Sequence, residues 1–164
     1  MRIFSILILF ISLASCEQSS NVTEIQGEWR SQCESIIGTS NEMISIHKVL
    51  IFSSNTSSHH INEYSDVNCT VFNKKITTLG ADEISGSEGV NGTYTIGQKM
   101  VTSNGVDATH LNYITTRGRE FGDIYLLQNN NTTLFLGEKC PTNDLSCTHV
   151  RPDRLNYNKP FTKK

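Results

Sequence analysis

The stretch from Met43 to Tyr64, MISIHKVLIFSSNTSSHHINEY, decides the fold class of this chain. Its two halves are rich in β-branched and aromatic residues, which favour extended strands. Between them, Ser53-Ser54-Asn55 supplies residues that tolerate the positive φ angles of tight turns. The stretch therefore predicts two antiparallel strands, over Met43–Ser53 and over residues 57–64, joined as a hairpin.

The same pattern of short apolar runs between polar turns continues along the chain, and helical periodicity is hard to find. Further strands are predicted over residues 27–34, 70–78, 92–96, 99–103, 108–116, 124–128 and 132–137. Turns such as Ser103-Asn104-Gly105 and Asn129-Asn130-Asn131 make consecutive strands antiparallel neighbours. We therefore expect an all-β antiparallel meander that closes into a small barrel of roughly eight strands, because closure removes exposed edges.

Two segments show no strand pattern. Residues 80–92, with four glycines and three acidic side chains, are predicted to form a mobile loop. After Pro152 and Pro160 the chain is basic and is predicted to leave the sheet. The expected domain thus covers residues 25–155, and residues 156–164 are expected to be a basic tail.

The N-terminus has the organisation of a signal peptide, with Met1-Arg2 followed by an apolar run from Ile3 to Leu13. About eleven apolar residues are too few to span a bilayer. Leu13-Ala14-Ser15-Cys16 resembles the bacterial lipobox, which implies cleavage before Cys16 and acyl chains such as palmitate on that cysteine. An ordinary secretory signal, with the mature chain beginning at Glu17, is the alternative.

The lipobox resemblance divides the first 24 residues. Residues 1–15 become a signal peptide, and residues 16–24 become a lipidated cysteine with a flexible polar tether. Glu17 after the cysteine is similar to the sorting signal for the outer membrane of a diderm bacterium. The expected partner is therefore a membrane of the cell envelope, contacted through lipid.

Composition and cysteine usage limit the remaining chain. Removal of 15 residues from 164 leaves enough for one ordinary domain, and 14 basic against 16 acidic side chains argue against nucleic acid binding. Four cysteines remain for two disulfides in an exported protein. We favour Cys33–Cys69 and Cys140–Cys147 among three possible pairings. A zinc site at the second pair, with His149 nearby, is disfavoured.

A resemblance to the lipocalin and wider calycin barrels starts at Gly27-Glu28-Trp29, which is similar to their Gly-X-Trp signature. The later motifs Tyr64-Ser65-Asp66, Gly92-Thr93-Tyr94-Thr95-Ile96-Gly97, Leu134-Phe135-Leu136-Gly137 and Arg151-Pro152-Asp153-Arg154-Leu155 resemble a group of lipocalin-like bacterial lipoproteins of undetermined activity. The resemblance implies that Trp29 closes one end of the barrel and that Arg151 or Arg154 packs over it.

Candidate chemistry is sparse. No Gly-X-Ser-X-Gly or His-Glu-X-X-His motif occurs, so neither catalysis nor a cofactor is expected. His59, His60 and Glu63 could ligate a metal, but adjacent histidines on a strand point to opposite faces, so no metal site is expected. Arg117 and Arg119 could grip a carboxylate or a phosphate, although a solvated turn is the simpler interpretation.

The leading expectation is a non-enzymatic, lipid-anchored barrel that binds a small apolar or amphipathic ligand. The tyrosines and Trp29 could line a ligand cavity, but core packing is their first use. The alternative is a protein-interaction or assembly module of the cell envelope, whose filled barrel serves only as a scaffold for loops.

Overall fold

The computed structural model describes residues 24–37, 41–76, 91–138 and 151–164. These residues form ten strands and no helix: β1 (Gly27–Ser31), β2 (Glu34–Ile37), β3 (Met43–Ser53), β4 (Thr56–Tyr64), β5 (Phe72–Ile76), β6 (Gly92–Val101), β7 (Asp107–Thr115), β8 (Glu120–Gln128), β9 (Thr133–Leu136) and β10 (Phe161–Lys163). Within this described part, no helix is long and apolar enough to cross a membrane.

Eight of the strands close into an antiparallel barrel. Around the barrel the order is β3-β1-β10-β9-β8-β7-β6-β4, and the β3–β4 pairing closes the ring. Strand β2 lies beside β3 next to β1, and β5 lies beside β4 next to β6. The all-β class, the antiparallel meander and the closed barrel of eight strands are thus confirmed, with two additional strands.

The predicted turns adopt the backbone conformations that their residues favour. Ser54 has a φ of 30°, and Gly105 a φ of 80°. The three asparagines of Asn129-Asn130-Asn131 have φ values between 54° and 61°. Asparagine and glycine tolerate this left-handed region, so the turns at Gly105 and at the three asparagines reverse the chain at little cost.

The C-terminal segment differs from its prediction. Residues 156–164 do not leave the sheet, because Phe161–Lys163 forms β10 between β1 and β9. Phe161 is fully buried in the core. Three strand residues after Pro160 are too few to show an alternating pattern, so tertiary packing rather than local pattern determines this strand.

The residues that precede β10 cover part of the outer barrel wall. Leu155 packs with Ala108, Ile124 and Phe135, which point outward from their strands. The backbone N–H of Ser103 donates to the carbonyl of Asp153, and Leu155 pairs with Gly137 in an isolated bridge. This second apolar cluster explains why the chain stays on the barrel after Pro152.

The barrel interior is filled mainly by large apolar side chains. Its buried cluster consists of Ile25, Trp29, Leu50, Phe52, Tyr94, Leu111, Tyr113, Tyr125, Leu134, Leu136 and Phe161. Phe52 makes an edge-on contact with Tyr94, with ring centroids 5.1 Å apart, and stacks against Tyr113 at 6.5 Å. Burial of this apolar surface is the main force that holds the eight strands together.

The β3–β4 pair extends past the other barrel strands. Strand β1 pairs with β3 only from Val49 to Phe52, and β6 pairs with β4 only at Thr56 and Ser57. The rest of the β3–β4 ladder is flanked by β2 and β5 instead. We call this four-stranded extension, residues 34–37, 43–48, 61–64 and 72–76, the flap.

The loop of residues 65–71 is fastened to the flap by the predicted Cys33–Cys69 disulfide. Within the loop, Asp66 accepts backbone hydrogen bonds from Asn68, Thr70 and Val71. The bond from Val71, with those from Thr70 and Asn68, lowers the pKa of Asp66. The loop conformation is therefore held both covalently and by a carboxylate that organises its backbone.

Candidate functional site

On its second edge, β4 has two neighbours in the described part of the chain. Strand β4 pairs with β6 through Thr56 and Ser57, and with β5 from Ile61 to Tyr64. Residues 58–60 lie between these two ladders, and no described residue pairs with them on that side.

A groove with a volume of about 570 Å³ lies where β4, β6 and β7 meet. Five of its lining residues are exposed, so the groove is open to solvent. Six of the lining residues carry hydroxyl groups, one carries an amide, and none is charged. The lining consists of Thr56, Ser57, Ser58, Asn91, Gly92, Thr93, Ile114, Thr115 and Thr116. The threonine methyl groups and Ile114 add apolar surface, so the groove is amphipathic.

Gly92 and Asn91 shape one wall of the groove. A Cβ atom at Gly92 would lie 2.0 Å from the carbonyl oxygen of Ile114, so only glycine permits this approach of β6 to β7. The Asn91 side-chain oxygen accepts a hydrogen bond of 2.7 Å from the backbone N–H of His59. Asn91 thereby connects the backbone of β4 to the beginning of β6.

His59 lies on the barrel side of β4, two residues from Ser57, which lines the groove. Its side chain is almost completely buried, and neither ring nitrogen has a hydrogen-bond partner among the described residues. Burial, followed by the nearby His60 and Lys48, lowers the pKa of His59 to about 4. The imidazole is therefore neutral at pH 7.

Tyr113 is a second buried polar group of the interior without a partner. Its hydroxyl has no hydrogen-bond partner in the described part, and its ring stacks on Phe52. Burial, followed by the proximity of Asp123 and Tyr94, raises the pKa of Tyr113 well above its usual value. Buried polar atoms normally have partners, so unpaired atoms of this kind are frequent at functional sites.

The Gly-X-Trp motif occupies the start of β1. Trp29 is fully buried, and its indole N–H donates to the carbonyl of Ile25 at 2.7 Å. Gly27 has a φ of 128°, and the Lys163 side chain crosses directly over it. The Lys163 Nζ lies 5.1 Å from the centre of the Trp29 ring. Glycine is favoured here by the positive φ angle of the backbone.

The cation over Trp29 is therefore Lys163, which corrects the prediction of Arg151 or Arg154. The Arg151 guanidinium lies against Gly122 and donates to the carbonyl of Leu111 at 3.2 Å. Arg154 donates to the Ser103 hydroxyl. Lys163 reaches the indole because β10 pairs Lys163 directly with Trp29, a pairing that depends on the strand missed by the sequence pattern.

The candidate metal ligands do not converge. His59 and His60 face opposite sides of β4, as the alternation of a strand requires. Glu63 instead accepts a hydrogen bond from the Asn73 side chain at 2.7 Å and pairs with Lys74 at 3.3 Å. No group of three potential metal ligands occurs among the described residues.

The charged turn between β7 and β8 carries Arg117 and Arg119, the candidate residues for binding a carboxylate or a phosphate. Arg119 lies over the Phe121 ring at 5.9 Å, and both Arg117 and Arg119 have interactions of their own. Asp123 is buried on β8, where its carboxylate accepts the backbone N–H groups of Ile124 and Gly137. Asp123 thus stabilises the backbone at the end of β9.

Several predicted residues lie outside the described ranges. They are Cys16 with the signal peptide and tether residues up to 23, most of the predicted loop (residues 80–90), and the Cys140–Cys147 pair with His149. Gly92, the last residue of the predicted loop, begins β6.

The flap carries a concentration of exposed apolar side chains. Ile37 and Met43 face each other across β2 and β3, and Phe72 pairs with Tyr64 at the start of β5. Together with Val67 and Val71 of the fastened loop, these side chains are between 56 and 73% exposed. We call these five residues the apolar patch.

No protein-family model, curated protein or solved structure matches this chain. We therefore interpret the candidate site from its geometry alone. Its groove residues come from β4, β6 and β7, which are far apart in sequence. Sequence reasoning therefore missed them. Asn91-Gly92 at the beginning of β6 belongs to the groove, but this dipeptide by itself is typical of an ordinary turn.

The buried neutral imidazole predicts a pH dependence of stability. Its folded-state pKa lies below the unfolded value, so the unfolded chain binds the proton first between pH 6.5 and about 4. The contribution of His59 to the free energy of unfolding is therefore fully present above pH 6.5 and is lost as the pH falls through this window. At pH 4.5 the loss from His59 is about 2–3 kcal/mol. In urea unfolding, the free energy of unfolding should therefore fall less between pH 7.5 and pH 4.5 in His59→Leu than in the parent chain.

The matched control is His110→Leu, at a half-buried histidine on the outer wall. Its free energy of unfolding should fall between the two pH values by nearly as much as that of the parent chain. An equal loss in the parent and in His59→Leu would contradict a neutral buried imidazole.

Proposed function

We propose that this chain is a membrane-anchored lipoprotein of the cell envelope that binds a small amphipathic ligand without catalysing a reaction. The groove between β4, β6 and β7 carries the ligand part of this proposal. It combines hydroxyl and amide groups with methyl surface. Large apolar and aromatic side chains occupy the barrel interior, so we place the ligand at the wall.

The anchor part of the proposal rests on the lipobox-like Leu13-Ala14-Ser15-Cys16. Three acyl chains on one cysteine exceed the two membrane signals that stable anchoring needs. Residues 17–24 are mostly polar and rich in serine and asparagine, so a short polar tether would connect the barrel to the lipid.

The anchor is tested with Cys16→Ala in cells of the source organism. Loss of lipid attachment should move the protein from the membrane fraction to the soluble fraction and abolish incorporation of labelled palmitate. Ser15→Thr serves as the control that keeps the cysteine. Membrane association that persists in Cys16→Ala would contradict the anchor.

Ligand binding is tested by incubating the purified mature chain, with Cys16→Ala to remove its own lipid, with an extract of cell lipids. Molecules retained after gel filtration are identified by mass spectrometry. Thr93→Trp should fill the groove and reduce retention about tenfold. Thr95→Trp, on the same face of β6 but outside the groove lining, should retain the parent amount. Equal retention by both variants would contradict binding in the groove.

A second function, an assembly module, is favoured by the apolar patch on the flap. Monomeric soluble proteins seldom expose contiguous apolar surface of this kind, and such patches commonly mark interfaces. The cross-strand pair Ile37 and Met43 and the neighbouring Phe72 would pack against the same surface of a second copy. Burial of about six such side chains per interface contributes several kcal/mol.

Self-association is tested by sedimentation velocity. The parent chain should form dimers as its concentration rises, and the combined variant Ile37→Ser, Met43→Ser and Phe72→Ser should remain monomeric. Val101→Ser with Tyr157→Ser removes exposed apolar side chains elsewhere and should behave as the parent. A parent chain that stays monomeric would exclude this form of assembly.

A further inference from the structure

Two methionines lie in the described part of the chain, and their surroundings differ. Met43 begins β3 and is 68% exposed. Met100 on β6 is half-buried and packs against the outer cluster that contains Ala108 and Leu155. Because oxidation requires contact between the sulfur atom and the oxidant, the exposed thioether reacts more readily than the packed one. Met43 is therefore the preferred site of methionine oxidation among the described residues.

The register of the flap explains why Met43 is exposed. Side chains alternate between the two faces of a strand, so Met43 shares a face with Ser45, and its partner Ile37 shares that face with Ser35. Ser45 is almost completely buried, whereas Ile37 and Met43 form the next pair on that face and are largely exposed. The cover of this face of the flap thus ends before Met43.

The two cysteines beside the flap do not compete with Met43 for an oxidant. Cys33 and Cys69 are already joined in a disulfide, so neither presents the thiolate with which peroxides react. The same disulfide fastens the loop that carries Val67 and Val71. These two members of the apolar patch are therefore held in place independently of the state of Met43.

Oxidation changes the chemistry of the patch at one atom. A hydroperoxide transfers one oxygen atom to the sulfur as its O–O bond breaks, and the remainder leaves as an alcohol or as water. The sulfur loses the two electrons that the peroxide gains, and the apolar thioether becomes a polar sulfoxide. A buried sulfoxide oxygen needs a hydrogen-bond donor. The other four side chains of the patch are hydrocarbons and cannot donate: Ile37, Val67, Val71 and Phe72.

We infer that Met43 is an oxidation site through which a peroxide switches off self-association at the apolar patch. This inference rests on the assembly function proposed above, in which the patch contacts the same surface of a second copy. A two-fold interface contains each residue twice, so a dimer of oxidised chains would bury two sulfoxides. Each should weaken association about tenfold, which raises the dissociation constant of the dimer roughly hundredfold. Enzymes that reduce methionine sulfoxide would restore the patch.

The test treats the mature Cys16→Ala chain with hydrogen peroxide at a concentration at which the chain is monomeric, because association would cover the thioether. Peptide mass spectrometry should find the added oxygen atom on Met43 before Met100. Sedimentation velocity should then give a dissociation constant roughly hundredfold higher than before treatment. Circular dichroism should show that the β structure is unchanged.

Three variants assign the effect to one sulfur atom. Met43→Leu keeps an apolar side chain of similar volume and should associate as the parent does, both before and after peroxide treatment. Met43→Gln places a polar group at the same position and should associate as weakly as the oxidised parent without any peroxide. Met100→Leu is the matched control, and it should lose association after treatment as the parent does.

The outcomes separate this inference from the assembly function. If the untreated parent associates and its Met43 sulfoxide form associates equally well, the switch is wrong and the assembly function stands. Oxidation of Met100 before Met43, or a loss of association in peroxide-treated Met43→Leu, would also contradict a switch at Met43. A parent chain that stays monomeric before treatment contradicts the assembly function itself and removes the switch with it.

Discussion

The pairing of β3 with β4 is the constraint on which the rest of the structure depends. Nine consecutive residue pairs, from Ser45 with Tyr64 to Ser53 with Thr56, form this ladder. It closes the barrel, because without it the sheet would have two free edges. Since no other pairing in the described chain is as long and regular, the ladder also extends past its neighbours, and that overhang becomes the flap.

The overhang determines where the candidate site lies. Strand β4 is too long to be covered by one neighbour on its second edge, so β6 covers its beginning and β5 covers its end. The groove lies at the beginning of β6, where Gly92 lets that strand start within contact of β7. The same register places His59 next to the groove, where burial keeps the imidazole neutral. The candidate site thus lies in the wall of the closed barrel.

The parts of this fold that sequence could predict are those encoded by neighbouring residues. The hairpin at Ser54 and the strand Met43–Ser53 follow from turn chemistry and strand propensity, which act locally. The groove and β10 depend on register between residues far apart in sequence, so no local pattern reveals them. Lys163 illustrates the limit: its position over Trp29 follows from a three-residue strand that burial of Phe161, not propensity, stabilises.

The two candidate surfaces lie at opposite ends of the β3–β4 pair. The chain enters the barrel at Gly27, which pairs with Phe52 near the end of β3, whereas the apolar patch includes Met43 at the beginning of the same strand. The nine residue steps from Met43 to Phe52 correspond to about 30 Å of extended strand. The groove begins at Thr56 and Ser57, beside the β3–β4 turn and therefore at the end of the pair where the chain enters the barrel. The two proposed functions thus use separate parts of the fold.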